Sequence, residues 1–324
     1  MRRREFLPVL AAPLLAAPAL AQQPERVWRL GALAAARYPV EAIQQFTLSE
    51  LAKLGFVEGR NLTFHGISAD GAYERLPALA RELVEAKPDV ILAVAPTAIR
   101  AARAATRTIP IVMAYAGEDP VAAGWAESYA RPGGNVTGVV MLSPELDGKR
   151  LQVLHDAFPA RRRIGVLHHP TGMSTPNVSA IQAAAGKVGL EILSFQAAGR
   201  ENYEAAFDAI RMAGVDTLAV ASAPVFVGDA GLIAEAALKA GLPTICEHPE
   251  MARKGCLISY SANIQALRQR TAVFVARILT GTPPGNLPIE EPTSFELWVN
   301  MRTAKALGIE LPPTLLARAD EVIE

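Results

Sequence analysis

The chain predicts an α/β protein of two similar lobes, each a parallel sheet covered by helices on both faces. Three observations carry that prediction. Continuous apolar runs such as Val90-Ile91-Leu92-Ala93-Val94 recur, and a strand apolar at every position needs cover on both faces, as parallel strands have. Amphipathic helical stretches separate these runs. Finally, Asp89-Val90-Ile91-Leu92-Ala93, a helix, then Ile109-Pro110-Ile111 is echoed by Asp216-Thr217-Leu218-Ala219, a helix, then Leu242-Pro243-Thr244-Ile245. About 300 residues remain once a leader is removed, and chains of that size divide into lobes.

The elements follow in order. Trp28 to Leu33 reads as a strand, and Val40 to Leu54 as a helix that Gly55 closes as a C-terminal cap. Turn chemistry at Glu58-Gly59-Arg60-Asn61 leads into the strand Leu62 to His65. Leu76, Leu79, Ala80, Leu83 and Val84 fall on one helical stripe that Pro88 ends. Val90 to Val94 is a strand, Thr97 to Ala105 a helix, and Ile109 to Tyr115 and Val136 to Met141 are strands.

The second half reads as strands Arg163 to Leu167, Leu190 to Phe195, Val215 to Ala221, Leu242 to Cys246 and Cys256 to Tyr260. Helices between them bury Val178, Ile181, Ala185 and Val188, then Tyr203, Ala206, Phe207 and Ile210, then the span Asp229 to Ala240. A long helix near Ile264 to Leu279 and a Pro-rich tail break the rhythm, so the chain is expected to cross back between lobes there.

The first residues bear on location. Arg2, Arg3 and Arg4 precede an Ala/Leu/Pro-rich apolar stretch, Phe6 to Leu20, and Ala19-Leu20-Ala21 is a small-x-small cleavage site. This reads as a signal peptide over residues 1–21 and a soluble periplasmic product. The stretch is shorter than the ~20 residues of a membrane-spanning helix and is interrupted by Pro13 and Pro18. Arg3-Arg4-Glu5-Phe6-Leu7 fits the twin-arginine export pattern, and an ordinary Arg-rich leader fits as well.

Basic and acidic residues balance at 32 each, and loss of the leader leaves 29 against 31. No clustered basic surface is implied, so nucleic acid is not an expected partner. Cys246 and Cys256 sit at the ends of two strand segments, where either a bridge or two buried thiols can be accommodated.

Catalytic patterns are absent: the sequence holds no G-x-S-x-G, H-E-x-x-H, Walker A loop or G-x-G-x-x-G. His168 and His169 end a strand and point to opposite faces, which does not make a metal site. No enzyme, cofactor or metal is expected. What remains are small polar residues where strands end and helices begin, the place where open parallel sheets bind ligands. Candidates there are Pro96 and Thr97, Tyr115, Glu118 and Asp119, Thr171 and Ser174, Ser222, and Glu247. Thr97 and Ser222 could equally be plain helix caps, and Glu118 and Asp119 a solvated corner.

Asp119-Pro120-Val121 and Ala130-Arg131-Pro132-Gly133-Gly134-Asn135-Val136-Thr137-Gly138 carry a family resemblance. So do Leu54 to Asn61, Thr108 to Val112, Glu145 to Leu151, Ala304 to Gly308 and Leu315 to Val322. The chain resembles ABC-transporter substrate-binding proteins of the tryptophan/tyrosine-binding type, with a type I periplasmic-binding fold. That implies two doubly wound parallel-sheet lobes joined by hinge crossovers, residues 27–141 with about 262–290, and residues 142–261 with about 291–324. It also implies closure on a small ligand and delivery to an ABC permease of the inner membrane, by a monomer.

By family position Thr97, Asp119 and Ser222 would face the cleft, with Asn263 in a segment that is often Y-G-P-N and here reads Tyr260-Ser261-Ala262-Asn263. The expected ligand is a small carboxylate-bearing molecule, an amino acid or aromatic acid. Thr97, Ser222 and their helix N-termini would hold the anion, and Tyr115 would pack an apolar part. A ligand sensor feeding a membrane kinase or chemoreceptor is the alternative. The R-P-G-G-N run reads as architectural, since Pro132 and two glycines allow a sharp turn into the next strand.

Overall fold

The computed structural model describes residues 26–141, 143–170 and 189–324, with residues 182, 185 and 186 between the last two spans. The leader and its twin-arginine pattern lie outside the described residues, as do Thr171 and Ser174.

The first sheet holds β1 (Trp28–Ala34), β2 (Leu62–Ser68), β3 (Val90–Val94), β4 (Ile111–Ala116) and β5 (Val136–Val140) in the order β2-β1-β3-β4-β5. Every pairing in it is parallel. Strand β3 shows why its residues are apolar without alternation. Leu92 and Val94 enter the core on one face, with α2 (Leu48–Lys53), while Ile91 and Ala93 enter the other, with α3 (Leu76–Glu85) and α4 (Ala95–Ala105). Between α1 (Arg37–Ala42) and α2 lies a π-helical turn, Ile43–Thr47, so the span read as one helix is three segments.

The second sheet holds β6 (Arg163–His168), β7 (Glu191–Gln196), β8 (Thr217–Val220), β9 (Thr244–Cys246), β10 (Ile258–Ala262), β11 (Phe295–Asn300) and β12 (Glu321–Ile323). Their order is β12-β11-β10-β9-β8-β6-β7. One face is covered by α5 (Ser143–Ala157), the other by α6 (Arg200–Met212) and α8 (Ala230–Lys239); α7 (Pro224–Gly228) and α9 (Pro249–Arg253) are single turns near the strand ends. Strand β11 runs antiparallel to β10 and parallel to β12, so the tail completes this sheet. Cys246 and Cys256 are buried free thiols, each donating to the Ile258 carbonyl at 3.3 Å.

The helix α10 (Ile264–Leu279) follows β10 but packs on the first sheet, where Leu267, Phe274, Val275 and Ile278 join the core shared with Leu92 and Val112. The passes between lobes are tied together by backbone. Asn263 N–H donates to Ser294 O at 2.9 Å, and Val140 N–H to Glu290 O at 2.9 Å. The R-P-G-G-N turn belongs to this frame. Gly133 (φ 77°) donates to Gly285 O at 3.3 Å, and the Asn135 amide donates to Ile109 O at 2.8 Å.

Gly138 sits opposite Met113 in the β4–β5 ladder at φ 130°, and a Cβ there would meet the Met113 carbonyl oxygen at 2.4 Å. Backbone cannot move aside as a side chain can. Gly138→Ala is therefore expected to destabilise the protein by about 3 kcal/mol or more, measured by denaturant unfolding. A change below about 1 kcal/mol would show that β5 can shift to make room.

Candidate ligand-binding site

The carboxyl ends of the strands in the two sheets face one another. In each sheet the strand order reverses, at β1 between β2 and β3 and at β6 between β7 and β8, and such switch points are where open α/β sheets bind ligands. A cavity of about 80 Å³ lies between them. The first lobe contributes Tyr38, Pro39, Ala42, Ile43 and Thr47 after β1, Val94 and Ala95 after β3, Tyr115 from the end of β4, and Met141 after β5. The first turns of α10 add Ile264 and Arg268. The second lobe contributes Ser222, Pro224 and Val227 after β8, and Glu247 and His248 after β9. An open cleft of about 630 Å³ shares Tyr38 with this cavity and is rimmed by charged groups, among them the Arg37–Asp70 and Arg200–Asp229 ion pairs.

Two wall residues hold left-handed backbone that L-residues rarely adopt, Ala95 (φ 68°) and Tyr115 (φ 59°). Tyr115 coincides with a register shift between Met113 and Ala116 in the β4–β5 ladder. The π turn Ile43–Thr47 is the third irregularity, and both its end residues line the cavity. Strain and π turns gather where the surrounding structure over-determines them, at sites that bind.

The polar groups are few and buried. Arg268 is 9% exposed, stacks over the Phe46 ring at 4.1 Å, and among the described residues forms no ion pair with a carboxylate. It faces the hydroxyls of Tyr38 and Tyr115. Burial raises both phenols, Tyr115 to about 12, against the pull of the guanidinium, so both stay protonated. The Tyr38 hydroxyl is buried without a hydrogen-bond partner among the described residues.

Across the cavity Glu247 is 7% exposed, and its Oε2 likewise has no partner among the described residues. Burial raises its pKa, while Arg150 and the Ser222 hydroxyl lower it and Asp147 adds to the rise. Arg150 is itself held by Asp147 Oδ1 at 2.6 Å and by the Tyr260 carbonyl at 2.8 Å.

Of the residues singled out from sequence, Tyr115, Ser222 and Glu247 line this cavity. Thr97 lies elsewhere on the first lobe, in a surface groove with Tyr73, Arg81 and Arg100. The reason is that α4 begins two residues earlier than read, at Ala95, which leaves Val94 and Ala95 at the cleft, Pro96 buried in the first helical turn and Thr97 turned outward. Glu118 pairs with Arg100 at 2.7 Å, and Asp119 accepts the Val121 and Ala122 N–H groups in its own turn. Asn263 caps α10, accepting from Ala266 N–H at 2.7 Å, and donates to Glu296. Each of these three polar side chains thus has a local partner.

Sequence reasoning missed Arg268 and Tyr38. Arg268 was hidden inside a helix read only for its apolar stripe. A basic residue near the start of that stripe, on the same face as Ile264, was the available signal.

The lobes also touch through aromatic rings. Tyr73 stacks on His169 with centroids 4.6 Å apart, and Tyr38 meets His248 edge-on at 5.8 Å. His248 caps α9 by accepting from Glu250 N–H, and burial, followed by Arg268 and Arg253, pushes its pKa down to about 3. An unfolded chain therefore binds this proton before the folded one does. Stability is fully present above the ordinary value of 6.5 and is lost as pH falls from there toward 3, by up to about 1.4 kcal/mol per pH unit. His248→Asn keeps a capping acceptor and removes the titration. It should flatten the loss of thermal stability between pH 6.5 and 4, whereas an unchanged slope would show that His248 does not titrate with unfolding.

Comparison with known proteins gives a consistent result. Residues 40–323 match the family described as ABC transporter substrate binding protein. The tyrosine-binding protein of Clostridioides difficile (strain R20291) is 25% identical over 258 residues, which span 79% of this chain and 73% of that protein. A conserved domain protein from Vibrio cholerae O1 biovar eltor superposes with a TM-score of 0.84 at 27% identity, over 92% of this chain and all of that one. A Streptococcus pneumonia ABC domain in complex with L-Trp superposes at 0.82 over the same shares, and at 22% identity this likeness shows the fold. The paired parallel sheets, the cleft between their carboxyl ends and the match over nearly the whole chain agree: this protein belongs to the ABC transporter substrate-binding protein family.

Proposed function

We propose that the protein is the periplasmic receptor of an ABC importer and binds a small carboxylate-bearing molecule, an amino acid or an aromatic acid, between its lobes. The observation that carries the reading is Arg268, a buried guanidinium in the interlobe cavity with no acidic partner among the described residues. A buried arginine with no counter-charge is costly, and a ligand carboxylate is the group that relieves that cost. The planar fork suits two-point recognition of a carboxylate. The apolar wall of Ile43, Val94, Met141, Val227 and Ile264 would receive the uncharged part of the ligand.

Relatives support the ligand class, since one is named for tyrosine and another was solved with L-Trp. Because both lobes line the cavity, only the closed form collects the full set of contacts, and ligand binding shifts the lobes toward closure. The closed form is then what an inner-membrane permease would recognise. The sequence signals for export agree with this role. The protein does no chemistry of its own in this reading.

The test is a thermal-shift and calorimetric screen of protein unfolded and refolded to strip carried-over ligand, with amino acids, aromatic acids, sugars and small peptides as probes. A carboxylate at ~100 times its dissociation constant should add about 2.7 kcal/mol of stability. Arg268→Gln should weaken that binding by about 2–5 kcal/mol while leaving the fold intact. A response to sugars alone, or full affinity in the Arg268 variant, would overturn the assignment.

A further inference from the structure

We propose that Cys246 and Cys256 are a modification site: exchange with a disulfide oxidant joins them in an intrachain bond that staples the end of β9 to the start of β10, around the loop that carries Glu247 and His248. Of the functional reading above, only an exported location bears on this bond, because disulfides form and persist in oxidising compartments.

Local structure brings the two sulfurs together. Cys246 is the last residue of β9 and stands opposite Ser259 in the parallel ladder with β10. Cys256 is placed by the way α9 ends. Gly255, at φ 114°, donates to Ala252 O at 3.1 Å, and Cys256 N–H reaches back to Met251 O at 2.9 Å. This is a glycine-terminated helix end, in which the chain folds back over its own last carbonyls. Leu257 N–H then donates to the Thr244 hydroxyl at 2.9 Å, which holds the chain beside β9 as it enters β10. A turn of helix has thus returned the chain to the strand it left, and both side chains enter the core that holds Leu218, Phe226 and Met251.

Both thiols point at one atom. Cys246 Sγ and Cys256 Sγ each lie 3.3 Å from the Ile258 carbonyl oxygen. A thiol is a weak donor, so two of them sharing one acceptor hold neither sulfur firmly. Burial, followed by a hydrogen bond with Cys256, raises the Cys246 thiol well above its ordinary value. Sulfurs gathered in this way come to bonding distance by side-chain rotation. Neither cysteine lines the ligand cavity, so binding does not account for the pair.

The bond forms while the chain is still open. A buried thiol of raised pKa holds almost no thiolate, and the thiolate is the species that attacks a disulfide. In the unfolded chain, one cysteine thiolate attacks the oxidant's disulfide, which gives a mixed disulfide and releases one oxidant thiolate. The second cysteine thiolate attacks the cysteine sulfur of that mixed disulfide, forming the Cys246–Cys256 bond and releasing the other. Two protons leave the thiols, and two electrons pass to the oxidant, whose disulfide becomes two thiols. Folding then encloses the bond. The ring so closed contains Glu247 and His248, which line the ligand cavity, and His248 meets Tyr38 of the other lobe. The bond therefore fixes this part of the second-lobe wall from beneath.

The experiment refolds the protein from denaturant with no ligand, in one glutathione buffer that is oxidising and one that is fully reducing. Free thiols are then alkylated under denaturing conditions and the mass is read. After oxidative refolding the protein should take up no alkyl group and be lighter by two hydrogens. Its non-reduced digest should contain one peptide pair joined through Cys246 and Cys256. The bridged form should melt roughly 5 °C or more above the reduced one. Cys246→Ser with Cys256→Ser should melt at the same temperature in both buffers, and a shift that persists in that variant would count against the bond. Thiols that stay alkylatable after oxidative refolding would overturn the inference. So would cysteines found only as mixed disulfides with glutathione or as links between chains. A bridged form that melts below the reduced one would overturn it as well, since the native β9–β10 geometry would then reject the bond. The mass comparison needs no variant, and no reading involves a ligand, so this bond and the receptor assignment fail separately.

Discussion

Three passages of chain between the lobes are held to one another by backbone hydrogen bonds, and the site exists because of that constraint. Residues 262–263 run beside 294–295 as the end of the β10–β11 ladder, with Ala262 opposite Phe295 and Asn263 N–H on Ser294 O. The end of β5 is tied to Glu290 in turn. Parallel sheets cannot close their own carboxyl ends, where connecting loops leave a crevice. Joining two such sheets through a narrow tied waist sets one crevice against the other. The cavity wall then comes from strand ends, the first turns of helices and the π turn after α1, which a packed core holds in place on both sides.

The same constraint explains where the backbone is irregular. The β3–α4 junction, the end of β4 and the turn between α1 and α2 all meet at the cavity, and each departs from regular geometry. Left-handed φ at Ala95 and Tyr115 is affordable because α4 and the β4–β5 ladder are buried on both sides. Away from the waist, the lobes are regular, and glycine supplies most of the positive φ values.

Charge is handled differently at the rim and in the interior. At the rim, Arg37 with Asp70 and Arg200 with Asp229 pair within their own lobes, each with an exposed arginine, and such pairs contribute little to stability. In the interior, Arg268 and Glu247 form no ion pair, and Glu247 Oε2 has no hydrogen-bond partner among the described residues; nor does Arg150 Nη2, although Arg150 pairs with Asp147 through Nη1. A protein selected for stability alone would not bury a group such as Arg268. Its presence marks the place where a ligand completes the polar pairing.

The sequence by itself determined the architecture. The short apolar run Val90 to Val94, without alternation and flanked by Pro88 and Pro96, suits a strand buried on both faces, and the stripe Leu76, Leu79, Ala80, Leu83 suits a helix against such a sheet. Those are local properties of period and polarity. It also pointed to strand ends as the place for a ligand, and Tyr115, Ser222 and Glu247 stand there. What only the tertiary structure decided is which polar residues remain unpaired. Thr97, Asp119 and Asn263 carry the same functional groups as a binding residue would, yet local geometry turns the first away and gives the others partners nearby. Arg268 reads as one more charge on a long helix until α10 crosses to the first sheet and buries it against the end of β4. Pairing and burial depend on residues distant in the chain, so no spacing within the sequence could reveal them.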